Sequence, residues 1–344
     1  MHVRLLIPDI FPPDPAFMAL LAERRFPALE TLVSRARRGS GEWHSLEQWL
    51  LECFAVERQQ DWPSAAFALL GDQGEPGEAF WMHAEPVHLR AERDSLRLAD
   101  ASMLEISLEE ADALVGTLTR HFGPELEIQV RQATRWYARV AEPPAEPTVP
   151  IVEVADRSIA PGSASLGWNT LMNEIQMLLH EHPVNAEREL RGEPPINGIW
   201  LWGGGRLAPA SAPLLRSLMS ELPLALGLAA SAGLRASFPP EDVARWIESG
   251  DRQGVHLAIL PALTVPAHRR DPARWLEALE RLERQWFAPL QQALRTGRIG
   301  MVTLQLATSS GGKEARILNA ETTRSDLRHF WRRRRPLADY CAPR

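Results

Sequence analysis

The residues best suited to bind an anion are three consecutive glycines followed by an arginine, Gly203 to Arg206. They come directly after a short apolar run, Gly198 to Trp202, which predicts a strand. Glycines at a strand end expose backbone N–H groups, and a neighbouring guanidinium complements phosphate or carboxylate. We therefore predict ligand binding at Gly203, Gly204, Gly205 and Arg206. A tight turn that needs positive φ is the alternative that the same pattern allows.

A second loop with similar chemistry is TSSGGK at 308–313. Ser309, Ser310 and Lys313, the only lysine of the chain, are residue types found in phosphate-binding loops. The spacing is not that of a nucleotide-binding P-loop, and two glycines between two extended runs are also typical of a hairpin turn. Ligand binding by Ser309, Ser310 and Lys313 and a simple hairpin both remain open.

Asp9 and His268 are the two candidate metal ligands. Asp9 follows the first predicted strand, but a carboxylate in a Pro-Asp loop is also satisfied by nearby backbone N–H groups. His268 is followed by Arg269 and Arg270, which would repel a cation, so a solvated loop histidine is the competing interpretation. Neither a cofactor nor a metal is expected; manganese or zinc is the alternative if the site has been rebuilt.

Two other polar clusters favour structural roles. His180, His182 and Asn185 are badly spaced for one ion beside Pro183, so we predict that they hold a turn through side-chain hydrogen bonds. The run Arg332 to Arg335 predicts a solvated helix end, with an acidic protein partner as the alternative.

Composition limits the class of protein. The chain has 344 residues, 45% of them hydrophobic and 24% charged, as in ordinary globular proteins. A net charge of −6 argues against nucleic acid as a partner, and two cysteines cannot form a disulfide framework. The apolar run Val3 to Ile7 is too short for a signal peptide or a membrane span. We expect a cytoplasmic protein without a membrane partner.

Strands and helices alternate in the pattern that must position these residues. The capping box of Ser107 and Glu110 opens one helix, and Gly123 ends it. Asp271 and Pro272 open a long helix that ends at Gly297. Further strands are predicted at 3–7, 86–90, 95–98, 256–260 and 301–307, and further helices at 14–38, 45–56, 168–179 and 211–222.

The order of these elements predicts an α/β core interrupted by a smaller α+β domain. A Gly/Pro/acidic turn at 71–78 and the proline-rich run EPPAEPTVP at 142–150 mark the boundaries. The predicted division is 1–78 for the first part of the core, 79–150 for the inserted domain and linker, and 151–344 for the rest of the core.

Three motifs carry a family resemblance. HPVN at 182–185, followed by the strand ending at Gly203, is similar to the corresponding segment of archaeal-type, cofactor-independent phosphoglycerate mutases in the alkaline phosphatase superfamily. WMHAEPVHL at 81–89 and QQDWP at 59–63 resemble bacterial proteins of regulatory protein RpfE type. The resemblance implies an alkaline-phosphatase-like core sheet flanked by helices, with an inserted small α+β domain.

The resemblance also implies two divalent metals held by Asp and His, and a Ser or Thr nucleophile. Asp9 matches the first ligand. The family's Asp-x-x-x-His corresponds to Thr264 through His268, and its adjacent Asp-His pair to Ala307-Thr308; no Asp-His dipeptide occurs in the chain. Ser45 and Ser64 match the nucleophile only by rough position.

Two close cations need several carboxylates to offset their charge, so these losses argue against two-metal catalysis. The sequence predicts a non-catalytic, phosphoglycerate-mutase-like protein with a regulatory or metabolite-binding role, taking a small phosphorylated or carboxylated metabolite. The alternative is an active metal-dependent, cofactor-independent phosphoglycerate mutase or phosphatase.

Overall fold

The computed structural model describes residues 1–11, 14–39, 41–91, 96–154, 158–159, 166–249, 253–309, 315–329 and 331–341. It divides into a larger unit, Met1–Trp49 with Ser211–Arg344, and a second unit, Leu50–Ala210. The chain leaves the larger unit and returns to it, so the second unit is an insertion. The predicted combination of an α/β core with an inserted smaller unit is confirmed.

The described strands, in chain order, are β1 His2–Pro8, β2 Arg37–Gly39, β3 Trp81–Ala91, β4 Leu96–Ala99, β5 Leu126–Gln132, β6 Arg135–Val140, β7 Ser158–Ile159, β8 Gly198–Gly205, β9 Leu215–Met219, β10 Ala236–Ser237, β11 Val255–Ile259, β12 Met301–Ala307 and β13 Ile317–Thr323. The described helices are α1 Pro15–Ala22, α2 Pro27–Arg35, α3 Leu46–Cys53, α4 Ser64–Gly71, α5 Leu108–Phe122, α6 Ile151–Val154, α7 Leu166–His180, α8 Pro183–Leu190, α9 Pro223–Ser231, α10 Val243–Ser249, α11 Thr264–His268, α12 Pro272–Leu282, α13 Ala288–Thr296 and α14 Ala338–Cys341.

The larger unit contains a seven-stranded sheet in the order β10-β9-β11-β1-β12-β13-β2. The first five strands of this order are mutually parallel, while β13 and β2 are antiparallel to their neighbours. β1 is central, and Leu5, Leu6 and Ile7 are fully buried, as expected of a strand covered on both faces. The carboxyl ends of β11, β1 and β12 therefore lie next to one another at one edge of the sheet.

The long helix predicted from Asp271 to Gly297 forms with one irregularity. Asp271 caps α12 by accepting a hydrogen bond from the Arg274 N–H at 3.0 Å, and Gly297 ends α13 with φ of 76°. A π-helical turn, Glu283–Phe287, joins α12 to α13. Both helices still bury one apolar face, because Trp275, Leu279 and Leu290 belong to the core of the larger unit.

The second unit has its own antiparallel sheet and its own core. The strand order is β5-β6-β3-β4-β7, and β8 also pairs with β3. α5 and α7 pack on this sheet through apolar side chains such as Leu114, Leu118, Ile175 and Leu179. The predicted capping box of α5 is present, with Ser107 and Glu110 each accepting the other's backbone N–H.

Several local predictions differ from the structure. The stretch 211–222 was predicted to be a helix but contains β9, because pairing with β11 and β10 outweighs the helical spacing of its leucines. The single helix predicted at 14–38 is two helices, since Pro27 begins α2. The segment 183–190 is the helix α8 and not an irregular turn.

The strand predicted to end at Trp202 continues through the glycines to Gly205. It pairs with β3 in the second unit and is not a strand of the seven-stranded core sheet. The chain passes from one compact unit to the other near residues 49–50 and 210–211. The division proposed from the sequence, at 78 and 150, stays a prediction. α7 and β8 join the second unit because their apolar side chains belong to its core, and α4 packs against β3 and β8.

No described helix is long and apolar enough to cross a membrane.

Candidate functional site

Asp9 follows the last residue of the central strand β1 and has a strained backbone. Its φ is 55°, a left-handed conformation that is uncommon for residues other than glycine. The surrounding contacts hold it there: its backbone carbonyl accepts a hydrogen bond from Trp275 Nε1 at 2.9 Å. Its side chain is buried, with only 8% of the residue exposed. Backbone strain that the surrounding contacts maintain is typical of functional sites, where a side chain must keep one orientation.

Ser309 connects the Asp9 carboxylate to His268. The Ser309 backbone N–H donates to Asp9 Oδ1 at 2.8 Å, and Ser309 Oγ lies 3.2 Å from His268 Nε2. Ser309 follows β12, and His268 ends α11, which follows β11. Parallel neighbouring strands thus bring together three predicted site residues that are far apart in sequence. We call Asp9, His268 and Ser309, together with Thr264 at the start of the helix that ends at His268, the carboxyl-edge cluster.

Two buried oxygens of this cluster have no hydrogen-bond partner among the described residues. They are Asp9 Oδ2 and Thr264 Oγ1. A buried polar atom without a partner costs roughly 1–3 kcal/mol, so such atoms are usually retained for a ligand or a solvent molecule. Asp9 Oδ2 is an acceptor, and it suits a hydroxyl donor or a cation.

The residues present do not fit a two-metal centre. Nowhere in the described part of the chain do three or more His, Cys, Asp or Glu side chains come together as metal ligands would. The carboxyl-edge cluster therefore offers one carboxylate and one imidazole, too little negative charge for two divalent ions a few Å apart.

Of the two rough candidates for a nucleophile, Ser45 lies beside the carboxyl-edge cluster. The N–H of Leu46, the next residue, donates to the Ser309 carbonyl at 3.2 Å. Ser45 is buried, and its Oγ accepts the Gln48 backbone N–H at 3.1 Å, which places it as the N-terminal cap of α3. Ser64 belongs to the second unit, where it is the first residue of helix α4.

Gly203 to Arg206, the predicted anion site, also lie in the second unit, and the three glycines are buried. A Cβ on Gly203 would come within 2.3 Å of Ser64 Oγ, and one on Gly205 within 2.4 Å of Pro63 Cβ. The Gly203 N–H donates to Thr148 Oγ1 at 3.1 Å. The structure thus gives these glycines a packing role, with φ of 66° at Gly203, while anion binding by them stays a prediction.

Arg206 is held from two sides. The Gln59 side-chain amide donates to the Arg206 carbonyl at 2.8 Å and accepts its N–H at 3.0 Å. The guanidinium donates to the Glu78 carbonyl. Because Gln59 belongs to the QQDWP motif and Arg206 follows the glycines, two of the three resemblance motifs meet here.

His83, which belongs to the WMHAEPVHL motif, packs beside Gly203 in the second unit. Its Nε2 is hydrogen-bonded to Ser64 Oγ at 3.2 Å, and its ring stacks on Trp202 with centroids 4.3 Å apart. Burial, with a smaller contribution from the positive charge of Arg135, lowers the pKa of His83 to about 3. The imidazole is therefore neutral near pH 7, and its burial together with that of Ser64 favours a structural role.

The HPVN segment has the role predicted for it. Asn185 Nδ2 donates to the carbonyls of Leu179 and Ile196 at 2.7 and 2.9 Å, and its Oδ1 accepts the Ile196 N–H at 2.8 Å. His182 caps α8 by accepting the Val184 N–H at 3.2 Å. His182 and Asn185 therefore form the structural side-chain hydrogen bonds predicted for them, but the segment that they stabilise is the start of helix α8 and not a turn. Ser310 and Lys313, by contrast, lie outside the described residues.

Comparison with known proteins supports the fold. No protein-family model matches the chain. Over 70 residues, 19% of the chain, it is 39% identical to a probable 2,3-bisphosphoglycerate-independent phosphoglycerate mutase from Geobacter sulfurreducens. That match spans only 17% of the relative's length, so it identifies a local similarity.

Two solved structures are similar over most of their length. The PH0037 protein from Pyrococcus horikoshii aligns over 94% of this chain and 87% of its own, with a TM-score of 0.57 and 14% identity. A cofactor-independent phosphoglycerate mutase from Thermoplasma acidophilum aligns over 93% and 89%, with a TM-score of 0.43 and 16% identity. Together with the local sequence match, the likeness to the first structure supports a phosphoglycerate-mutase-like α/β fold.

Proposed function

We propose that this chain is a non-catalytic, phosphoglycerate-mutase-like protein that binds a small phosphorylated or carboxylated metabolite and acts in regulation. One observation carries the proposal: the carboxyl-edge cluster keeps Asp9 and His268 but joins them through Ser309 and not through further carboxylates. This geometry supports a binding site more than a two-metal phosphotransfer centre.

The polarity of the carboxyl-edge cluster suggests the class of metabolite. Asp9 Oδ2 and Thr264 Oγ1 are buried without a partner in the described chain. A ligand hydroxyl that donates to Asp9 Oδ2 would satisfy it, and the positive charges of Arg269 and Arg270, which follow His268 in the chain, would favour an acid group in the same ligand. A small acid that also carries a hydroxyl group matches both requirements.

The non-catalytic part of the proposal is tested by the metal content and activity of the purified chain. We expect neither stoichiometric manganese or zinc by elemental analysis nor interconversion of 2- and 3-phosphoglycerate above the rate of a blank, with or without added Mn²⁺. Stoichiometric metal together with turnover that Asp9→Asn abolishes would overturn it.

The binding part is tested by thermal-shift measurements with 2- and 3-phosphoglycerate. Ligand that binds only the folded protein raises Tm, by an amount that grows with concentration above Kd. We expect a rise at millimolar ligand that is lost in His268→Gln. Arg274→Gln, which removes an exposed charge on the neighbouring helix, should retain it. The absence of any shift in the wild-type chain contradicts metabolite binding.

One observation favours a second candidate, a metal-dependent phosphoglycerate mutase or phosphatase with a rebuilt site. Asp9 Oδ2 is a buried acceptor without a described partner, and a single cation with Asp9 and His268 as ligands needs fewer charges than two. The metal analysis above decides between the two candidates, since this one requires stoichiometric metal.

A further inference from the structure

The arginine run 332–335 does not form the helix end predicted for it. It lies on irregular chain between the short turn Asp326–Arg328 and α14, and all four arginines are exposed. Two more exposed arginines, Arg37 and Arg38, lie on β2, the last strand of the seven-stranded sheet. Both segments belong to the larger unit, and we call residues 331–341 the tail. Contacts between β2, the end of α2 and the tail bring these arginines onto one surface.

Arg332 is anchored at the end of α2, directly before β2. Its Nη1 donates to the carbonyls of Arg35 and Ala36 at 3.0 and 3.3 Å. Cations are favoured at the carbonyl end of a helix, where the peptide dipoles leave partial negative charge. Because Ala36 precedes Arg37, this contact brings the start of the tail to the start of β2.

Arg38 meets the far end of the tail. Its guanidinium carbon lies 5.5 Å from the centroid of the Tyr340 ring, within the range of a cation–π interaction. The Tyr340 hydroxyl lies 2.9 Å from Ser34 Oγ, which accepts the Arg335 backbone N–H at 3.0 Å. Carbonyls and aromatic rings orient guanidinium groups without neutralising their charge. We define the arginine surface as Arg37, Arg38, Arg332, Arg333 and Arg335, with Trp331 beside them.

Carboxylates next to the arginine surface are fewer than its arginines. The exposed ones on β13, on α14 and just after β2 are Glu321, Asp339 and Glu42. Glu30 is buried and pairs with Arg25 and Arg334, which lie outside the defined surface. Positions 40, 330 and 342–344 contain no aspartate or glutamate. The arginine surface is therefore locally positive on a chain whose net charge is −6.

We propose that the arginine surface binds an acidic segment of a protein partner. Guanidinium groups form bidentate pairs with carboxylates, and arginine and tryptophan are the residues that most often dominate binding at protein interfaces. Trp331 is 64% exposed and offers apolar area next to the charges. All three residues of β2 are exposed at the end of the sheet, where an extended segment can add as a further strand.

Two other interpretations of the arginine surface are less well supported. Charges on a short edge strand hinder aggregation between sheets, but the arginines of the tail lie outside the sheet and are not needed for that. Nucleic acid presents a long polyanion, which a chain of net charge −6 repels beyond the local surface. The arginine surface shares no residue with the carboxyl-edge cluster, so the inference is independent of the proposed function.

The experiment is fluorescence polarisation of the full chain with a labelled peptide of alternating glutamate and leucine. The same peptide with glutamine in place of glutamate and a single-stranded oligonucleotide are the comparison probes. We expect the glutamate peptide to bind most tightly and to weaken as salt is added, because exposed charges are screened. Tighter binding of the oligonucleotide, equal binding of the glutamine peptide, or no binding of the glutamate peptide at millimolar protein overturns the proposal.

Variants connect the binding to the arginine surface. Arg38→Gln combined with Arg333→Gln should weaken the glutamate peptide about tenfold or more, and Trp331→Ala should weaken it independently of charge. Arg281→Gln combined with Arg295→Gln removes the same charge from exposed positions on α12 and α13 and is the matched control. Unchanged affinity in the first double variant, or an equal loss in the control, refutes the site. Asp9→Asn should leave peptide binding intact, so failure here and failure of the proposed function are distinguishable.

Discussion

At the scale of single residues, His83 shows how burial converts a titratable side chain into a structural one. Its ring is stacked on Trp202 and hydrogen-bonded to Ser64. Gly203, one of the glycines predicted to bind an anion, leaves the space in which His83 and Ser64 pack. A side chain at Gly203 would collide with both of them. The motifs that carry the family resemblance thus build one packed centre in the second unit.

The lowered pKa of His83 predicts a specific loss of stability in acid. The unfolded chain has a histidine pKa near 6.5, whereas the folded value is about 3. As the pH falls below 6.5, the unfolded state binds a proton that the folded state does not, so stability is lost progressively as the pH falls from about 6.5 towards 3.

The effect is measurable by urea unfolding at pH 7 and pH 5. From the linkage slope of about 1.4 kcal/mol per pH unit, His83 should account for about 2 kcal/mol of the stability lost over this interval. His83→Gln should reduce the pH-dependent loss by that amount, whatever its effect at pH 7. His180→Gln, which alters an exposed histidine, should not. Identical pH dependence in His83→Gln and the wild type would contradict the assignment.

At the scale of elements, the N-terminus of α2 is capped from another helix. Its own N-cap residue, Phe26, provides no side-chain hydrogen bond. Glu283, in the π-helical turn, accepts the N–H groups of Ala28 and Leu29 at 2.6 and 3.1 Å. The irregular turn therefore supplies the negative charge that a helix N-terminus favours.

We expect Glu283→Ala to lower the free energy of unfolding by about 1–2 kcal/mol, the usual effect of removing an N-terminal cap. Glu280→Ala is the matched control, because the ion pair of Glu280 with Arg24 is exposed to solvent. Its loss should cost less than about 0.5 kcal/mol. The comparison is made by urea denaturation at pH 7, and equal effects of the two substitutions would exclude capping by Glu283.

At the scale of the whole molecule, the two units have separate hydrophobic cores. The core that contains Leu5, Trp275 and Leu304 shares no residue with the one that contains Met82, Trp136 and Ile199. Separate cores usually open as separate cooperative units.

Gly203→Ala is expected to destabilise the second unit selectively. The new Cβ would need φ of 66° and would lie 2.3 Å from Ser64 Oγ. Hydrogen exchange should accelerate in β3, β6 and β8, while β1, β11 and β12 keep their protection. Gly77→Ala is the control, because its φ of 53° carries a backbone cost of about 1 kcal/mol without any atom within 4 Å of the added Cβ. Equal acceleration in both units would contradict independent opening.

Features that depend on neighbouring residues were predictable from the sequence. The capping box of α5, the Asp271 cap of α12, the Gly297 end of α13 and the strand β1 all form as expected. Their causes lie within a few residues of chain: a side chain that caps nearby N–H groups, a glycine that adopts positive φ, or an unbroken apolar run. Asp9 and His268 were also recognisable as candidate site residues by type.

Only the tertiary structure decided which distant segments pair with one another. Residues 211–222 have helical spacing but form β9, and the glycine-ended strand joins β3 and not the core sheet. Asp9 and Ser309 are 300 residues apart, and neither spacing nor composition indicates that one donates to the other. Sequence determines local backbone preference, whereas the positions of these side chains depend on which strands pair, a choice made by burial and hydrogen bonding across the whole chain.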